Sequence, residues 1–470
     1  MVKQWPIFHQ LRLTLEALTP HGVQTGMGDL THDTLLVRDA NGLPALPATS
    51  IAGVLRRLYN ERATNPAETN ELFGYADGNA GQPSRVRFTW ALAHDSSNTP
   101  IDGIADLPDG DPVIALLQEE KPLVRQRVRL SEKGVAEDKG KFDTTLVPAG
   151  CRYTCFITCW SDGSPEQENQ WQRLMSCLQS DDFRLGHGTR SGQGAFRICD
   201  AAHGRWDLTN STDAQAYQNR PRRRRDIGNL TALDLATPAE ENSLPIFTLP
   251  LVAEAGWRIG GGELTLKADE NDAHKAPDML PQSEPSITWN GSKGTVAQRT
   301  VVVPASAIKG ALAHRIAFHD RCLRGQWVEQ TPQGESPTSD AVVELFGSAS
   351  DASKDSQAGC VIIDDLYPEN PKVARQMHNR IDRFTGGVMR GALFEEELLW
   401  KTPLDLRLAI KPRGDISDTS RQALKLTLED LARGWLPLGA GGSRGNGIFT
   451  AREDGNWNDS GHWIKTGETA

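Results

Sequence analysis

Two glycine-rich stretches carry the first hint of chemistry, Leu185-Gly-His-Gly-Thr-Arg-Ser-Gly-Gln-Gly194 and Leu438-Gly-Ala-Gly-Gly-Ser-Arg-Gly-Asn-Gly447. Glycine lets successive backbone N–H groups converge on an anion without side-chain obstruction. Each loop also holds an arginine, Arg190 or Arg444, whose planar fork suits phosphate oxygens. Neither is a Walker loop, since no Gly-Lys-Ser/Thr follows. Neither is a dinucleotide fingerprint, which should open a helix after a strand, whereas these loops precede a strand. For one loop a tight turn needing positive φ is an equal reading; two loops at equivalent places, each with an arginine, favour phosphate contact. Arg125, Arg127 and Arg129 alternate along one side of an extended segment, and Arg380, Arg383 and Arg390 stand near Phe384 and Met389. Guanidinium groups beside apolar wedges are a common way to hold single-stranded RNA. The bland alternative for each stretch is a solvated charged hairpin, and the Arg222–Arg225 run is weaker still.

The elements that must position these residues repeat once. Pro47-Ala-Thr-Ser50-Ile-Ala-Gly53 has its partner in Pro304-Ala-Ser306-Ala-Ile-Lys309-Gly310, and Glu71-Leu-Phe-Gly74 has its partner in Glu344-Leu-Phe-Gly347. Three landmarks in the same order mark a tandem duplication. Alternation at Leu11, Leu13, Leu15 and Ala17 predicts a strand with one buried face, and Ile51, Val54, Leu55 and Leu58 predict a helix. Strands at 86–93 and 151–160, a helix through Trp171 and Met175, and a strand near 195–199 complete a βαββαβ unit. The second half repeats it: a strand before Gly256, helix 305–319, strands at 360–366 and 404–410, helix 418–433 and strand 447–451. The expected class is α+β, two tandem ferredoxin-like (RRM-like) domains with large insertions at about 95–150 and 368–403. The expected boundaries are 1–200 for the first unit, 201–243 for a polar linker and 244–470 for the second.

Composition narrows the function. At 470 residues two or more domains are expected. The net charge of −10 argues against nucleic-acid binding by the whole surface, while local basic tracks at 121–133, 220–225 and 372–390 leave a confined one open. No run of about 18 apolar residues appears, so no membrane span is expected. Seven cysteines without a CxxC pair suit reduced thiols and a cytoplasmic location.

The phrase Leu35-Leu-Val-Arg38-Asp39-Ala-Asn-Gly-Leu-Pro44 running into Ser50 and Gly53, the Leu-Phe-Gly motif and the terminal glycine loop together resemble the RAMP superfamily of CRISPR-associated proteins. Asn379-Arg-Ile-Asp-Arg-Phe-Thr-Gly-Gly-Val-Met-Arg-Gly-Ala-Leu-Phe394 resembles the stretch before the third core strand of type III backbone subunits. The resemblance covers nearly all of the chain outside the linker. It implies RRM-like cores lined along a CRISPR RNA, with thumb-like insertions wedged between guide and target. The partners it implies are CRISPR RNA, a complementary single-stranded target RNA and other type III effector subunits. RNA contacts are then expected from Arg38, Ser50, Arg56, Arg125, Arg127, Arg129, Gly186, Gly188 and Arg190. In the second copy they are expected from Lys309, Arg380, Arg383, Arg390, Gly441, Gly442, Ser443 and Arg444.

The resemblance also implies a catalytic aspartate before the Val-Arg-Asp phrase, and Asp33 occupies that place. It would cut target RNA with Mg²⁺ or another divalent metal held by its carboxylate. The alternative leaves Asp29, His32 and Asp33 as ordinary loop polars. The second copy lacks the phrase, and Asp269, Asp272 and Asp278 are its unaligned carboxylates. Two rival functions stand: a structural subunit without cleavage, and a guide-processing endoribonuclease, for which the chain is long and no histidine is well placed.

Overall fold

The computed structural model describes residues 5–26, 35–63, 65–78, 80–130, 135–235, 243–266, 276–327, 339–348, 356–413, 416–452 and 458–459. In the first unit the central strand Ile7–Ala17 pairs antiparallel with Arg152–Ser161 on one side and Phe196–Asp207 on the other, and Ala91–Ala93 lies beyond Arg152–Ser161. Helices Ala48–Arg62 and Pro165–Leu178 complete the βαββαβ unit. Leu11, Leu13 and Leu15 point into one core with Cys151, Tyr153, Cys155, Ile157 and Cys159, as the alternation requires. The second unit repeats the order, with Pro403–Ile410 and Phe449–Ala451 flanking Ile246–Ala253 and Val361–Ile363 at the edge. Its helices are Ala305–Leu323 and Asp418–Ala432. Both insertions contain antiparallel hairpins, Leu123–Leu130 with Ala136–Leu146 and Val373–His378 with Phe394–Trp400.

Two features depart from the sequence expectation. The stretch from 201 is not a plain linker. Strand Phe196–Asp207 runs through it, helix Ser211–Gln218 follows, and Thr231–Ala232 adds to the sheet edge. Leu230 and Trp206 join Phe8 and Phe156 in a small cluster on the outer sheet face. The polar composition hid this because few apolar residues suffice to seat the segment. The second feature is a hairpin, Ser283–Asn290 with Lys293–Val301, which has too many polar residues to read as a strand pair. It belongs to the second unit, yet its Ile287 is buried in the first unit's core. The Ile287 N–H donates to the Ala149 carbonyl at 2.9 Å, the Trp289 Nε1 donates to the Gly150 carbonyl at 2.7 Å, and the Arg152 guanidinium lies 4.1 Å from the Trp289 ring centroid. A Cβ on Gly150 would fall 1.8 Å from the Ile287 carbonyl oxygen, so only glycine permits this approach.

The junction holds a buried ionic cluster. Arg125 donates to Glu284 at 2.8 and 2.9 Å and to Asp365 at 2.6 Å, and all three side chains are at most 3% exposed. The Tyr367 hydroxyl donates to Glu284 at 3.1 Å, and the Asp365 Oδ1 accepts the Ala305 N–H at 2.8 Å. Arg184 engages Asp364 through both guanidinium nitrogens, and Lys411 reaches Glu61 and Asp182, each at 2.8 Å. Burial opposes the charge on Arg125, but Asp365 and Glu284 outweigh it and hold the guanidinium above its ordinary value. Burial pushes Asp365 up to about 6 against the pull of Arg125 and the Ala305 N–H, and the neighbouring Glu284 adds to the rise.

Removing the one cation of such a cluster leaves two carboxylates buried without compensation. Arg125→Ala should lower unfolding stability by about 3–5 kcal/mol, whereas an apolar triple Arg125→Met, Glu284→Leu, Asp365→Leu should cost far less. Urea titration of the full chain checks both, and an Arg125→Ala loss below about 1 kcal/mol would deny the clamp.

The raised Asp365 carboxyl has a signed consequence. Between about pH 4 and 6 the folded state keeps a proton that the unfolded chain has released, so this group's contribution is present below pH 4 and lost as pH rises through 6. Asp365→Asn should therefore gain on wild type by up to about 2–3 kcal/mol between pH 4 and 7. A pH-independent difference would mean that Asp365 is ionised throughout.

Candidate nucleic-acid interface

The two glycine loops have the same backbone. Gly186, Gly188, Gly192 and Gly194 all have positive φ, and so do Gly439, Gly441, Gly445 and Gly447 at matching places. Leu185 N–H donates to the Gly194 carbonyl at 3.0 Å and Leu438 N–H to the Gly447 carbonyl at 2.9 Å. A Cβ on Gly194 or Gly447 would sit 2.2 or 2.1 Å from the facing leucine carbonyl oxygen. The glycines thus close the turns, and Gly186 and Gly188 pack inward against Gly22 and Gln193. The exposed tip of the second loop carries Gly442 and Ser443.

The arginines of the two tips do not match. With Gly188 aligned on Gly441, Arg190 falls on Ser443 and Arg444 on Ser191. Arg444 lies 3.5 Å from the buried Glu396 and stacks 5.7 Å from the Phe394 centroid, so it ties its loop to its own thumb. Glu396 also takes Arg258, His378 and Asn446, which makes it the anchor between thumb and loop. That anchor was invisible among the consecutive glutamates 395–397, because charge alone reads as a solvated face.

Arg190 has a different setting. It is half-buried, its Nη1 is enclosed without a hydrogen-bond partner, and its pKa is lowered by burial and by Arg57 and Arg184, against the pull of Asp182. Lys309, on the first turns of helix Ala305–Leu323, is lowered by burial and then by Arg190. Its Nζ donates only at 3.3 Å to the Phe346 carbonyl. The helix begins after Pro304 without a side-chain cap, and Gly192 packs against Ala305. The Ala305 N–H at this helix start is already taken by Asp365, so the half-enclosed Arg190 guanidinium and the depressed Lys309 ammonium supply the charge of an electropositive groove across the two units.

Other expected contacts divide. Arg127 is half-buried at the first thumb's base, with Nε unpartnered and Nη2 directed to the Gln193 amide. Burial and then Arg125 lower it. Arg129 is exposed farther out on the same strand. Arg125, however, belongs to the junction clamp and is closed to RNA: alternation showed which side it takes, not what would cover it. Arg38 is likewise engaged inside the fold, donating to the carbonyls of Gly42 at 2.6 Å and Leu117 at 2.8 Å and to Glu119 and Glu120. Arg56 donates to Asn70 at 2.9 Å, and Ser50 lies on the first helical turn, half-exposed. In the second thumb Arg380, Arg383 and Arg390 are all exposed, beside Phe384 at 83% and Ile381 at 60% exposure. Arg383 lies 4.9 Å from the Phe384 ring centroid. A cation on an exposed ring is suited to meet a stacked base.

Asp33, Asp269 and Asp272 lie outside the described residues. The stem of the Asp33 loop is described: Thr25 N–H donates to the Leu35 carbonyl at 3.0 Å and Val37 N–H to the Val23 carbonyl at 2.9 Å. Next to it, His187 of the first glycine loop donates through its N–H to the Gly22 carbonyl at 3.1 Å. The stem therefore adjoins the first glycine loop. Asp278 is exposed and accepts the Glu395 N–H at 3.1 Å, at the base of the second thumb. Among the described residues no group of three His, Cys, Asp or Glu side chains could hold a metal ion.

A family model described as the RAMP superfamily matches residues 14–197 and 251–450. The chain belongs to the RAMP superfamily. Both matched stretches coincide with the two ferredoxin-like units, so the tandem organisation and the fold class stand together. Membership makes this a CRISPR-associated, RNA-binding protein. No curated protein matches the chain. No helix among the described residues is long and apolar enough to cross a membrane.

The groove yields a prediction about RNA holding. Each phosphate contact contributes about 0.7 to the slope of log affinity against log salt for a single strand. Arg190→Ala with Lys309→Ala should flatten that slope by about 1.4, while Arg444→Ala should leave it nearly unchanged. Equal slopes for all three proteins in filter binding would reduce both loops to structural turns.

Proposed function

We propose that this RAMP protein is a fused, two-unit backbone subunit of a type III CRISPR ribonucleoprotein, in which residues 1–200 and 244–470 each follow the CRISPR RNA. The half-buried Arg190 guanidinium, with its enclosed Nη1 unpartnered, beside the depressed Lys309 ammonium at the junction carries this reading, because two neighbouring, partly desolvated cations favour a ligand that brings anions. A phosphodiester backbone running across the junction supplies them. Arg127 and Arg129 on the first thumb, and Arg380, Arg383 and Arg390 on the second, would then border the paired target strand. Phe384 and Met389 are exposed at the second thumb, where they can press on a displaced base.

Cleavage is proposed through Asp33. Its carboxylate offers hard oxygen donors of the kind Mg²⁺ accepts, and such an ion would supply charge stabilisation at the scissile phosphate. Asp278 at the second thumb is the described carboxylate for a second cut; Asp269 and Asp272 are its sequence neighbours. The other proposed partners are neighbouring type III subunits and a complementary single-stranded target, with the assembly in the cytoplasm.

A carboxylate repels phosphate, so it is needed for the cut and not for holding RNA. Asp33→Ala should abolish one metal-dependent product from complementary RNA and leave guide and target binding within about twofold, and EDTA should remove the same product. Gel analysis of labelled target reads this directly. Persistence of every band would make the first unit a structural one.

A further inference from the structure

The outer face of the first unit's sheet, away from the helices and from the glycine loop, holds a cleft that the reading above does not use. Its floor is formed by Phe8 and Gln10 of the central strand and by Phe156, Thr158 and Trp160 of the neighbouring strand. Arg87 closes one side, and Tyr217 of helix Ser211–Gln218 with Arg220 and Arg222 of the segment after it cross above. The cavity measures about 330 Å³, at the small end of the ~300–1,000 Å³ range of ligand clefts. The crossing segment is seated: the Gln10 amide donates to the Pro221 carbonyl at 2.9 Å, and the Arg220 guanidinium lies 3.9 Å from the Tyr217 centroid and 5.4 Å from that of Phe8.

Three observations define the ligand. Aromatic rings dominate the wall, with Phe8 edge to face at 4.6 Å from Trp160 and 5.0 Å from Tyr217, and Trp160 and Tyr217 are partly open. No carboxylate lines the cavity, whereas three arginines do. Nearby Arg12 and Arg224 are matched to Asp200 and Asp102, but the Arg87 and Arg222 side chains are exposed and have no carboxylate partner among the described residues. A flat aromatic group bearing an anion satisfies both features, which is a nucleotide. The positive charge extends beyond one phosphate, since Arg223 and Arg225 are exposed immediately after the cleft. We infer that this cleft binds one nucleotide of a single-stranded RNA, on a path separate from the groove at the unit junction. The base lies against Trp160 and Tyr217, Thr158 offers a hydroxyl to its edge, and Arg87 and Arg222 take the flanking phosphates.

The test uses the full chain freed of nucleic acid and an octa-uridine carrying 4-thiouridine. Irradiation should join the probe to peptides containing Phe156–Trp160 or Tyr217–Arg222. The double variant Arg87→Glu, Arg222→Glu changes only exposed side chains; it should remove that cross-link and weaken the probe at least tenfold by anisotropy, with an unchanged melting temperature. Arg190→Ala with Lys309→Ala should leave the cross-link in place, which separates this site from the junction groove. Cross-links confined to the glycine loops and thumbs, or unaffected by the charge reversal, would overturn the inference. So would uridine monophosphate displacing the probe at concentrations at or below that of the octamer, because the site would then take a free nucleotide.

Discussion

Two carboxylates sharing one guanidinium, out of reach of water, hold this molecule in its arrangement. Arg125 comes from the first thumb, Glu284 from the bridging hairpin and Asp365 from the end of a core strand in the second unit. The second oxygen of Asp365 caps the first N–H of helix Ala305–Leu323, so a single carboxylate fixes both the docking of the units and the start of that helix. Buried ion pairs are seldom a source of net stability. Their strict geometry is better suited to specifying one orientation, and here the oriented object is the groove. Together with Ile287 in the first unit's core and the Arg184–Asp364 pair, the clamp keeps the first glycine loop beside Lys309.

Duplication supplied two identical loop backbones, and divergence gave them different neighbours. A displacement of one residue moves the arginine from the position of Arg190 to that of Arg444, and the consequence is large. Arg444 turns to Glu396 and binds its loop to the thumb of the same unit. Arg190 lies toward the neighbouring unit's Lys309, its enclosed Nη1 without a hydrogen-bond partner. The backbone shape is therefore a property of the fold, enforced by glycines at positive φ. The electrostatics of each loop are a property of what packs against it.

The same distinction explains what could be read from the sequence. Alternation at Leu11, Leu13 and Leu15 and the spacing of Ile51, Leu55 and Leu58 report local geometry, and the core contains those residues as the pattern requires. The repeated landmarks located both glycine loops and Lys309. Partners distant in sequence leave no such trace. Nothing near Arg125 signals Glu284, 159 residues away, and nothing near Arg38 announces the four carbonyls it holds. The hairpin Ser283–Val301 escaped notice because its burial comes from the other unit, so its own strands carry few apolar residues. The 201–243 stretch is hidden in the same way: helix Ser211–Gln218 has no buried residue, and a few scattered apolar residues, Trp206, Leu230 and Leu235 among them, seat the segment together with polar bonds.

That segment also bears on why the outer sheet face is polar where it could have been apolar. Every residue of strand Ile7–Ala17 is buried, yet on the outer side Gln10, Arg12, Thr14 and Glu16 alternate with the core leucines. Burying those groups requires partners, and they have them: Pro221 for Gln10, Arg224 and Asp200 for Arg12, Thr154 for Thr14, and Arg152 and Arg197 for Glu16. Two of these partners come from the crossing segment, which is thus held by hydrogen bonds to the strand more than by apolar contact. A cover attached in this way has a definite register on the sheet. It sets Arg220 and Arg222 opposite Trp160 and Thr158 and leaves the space between them unfilled, so the polar lining of the strand and the open cleft have one structural cause.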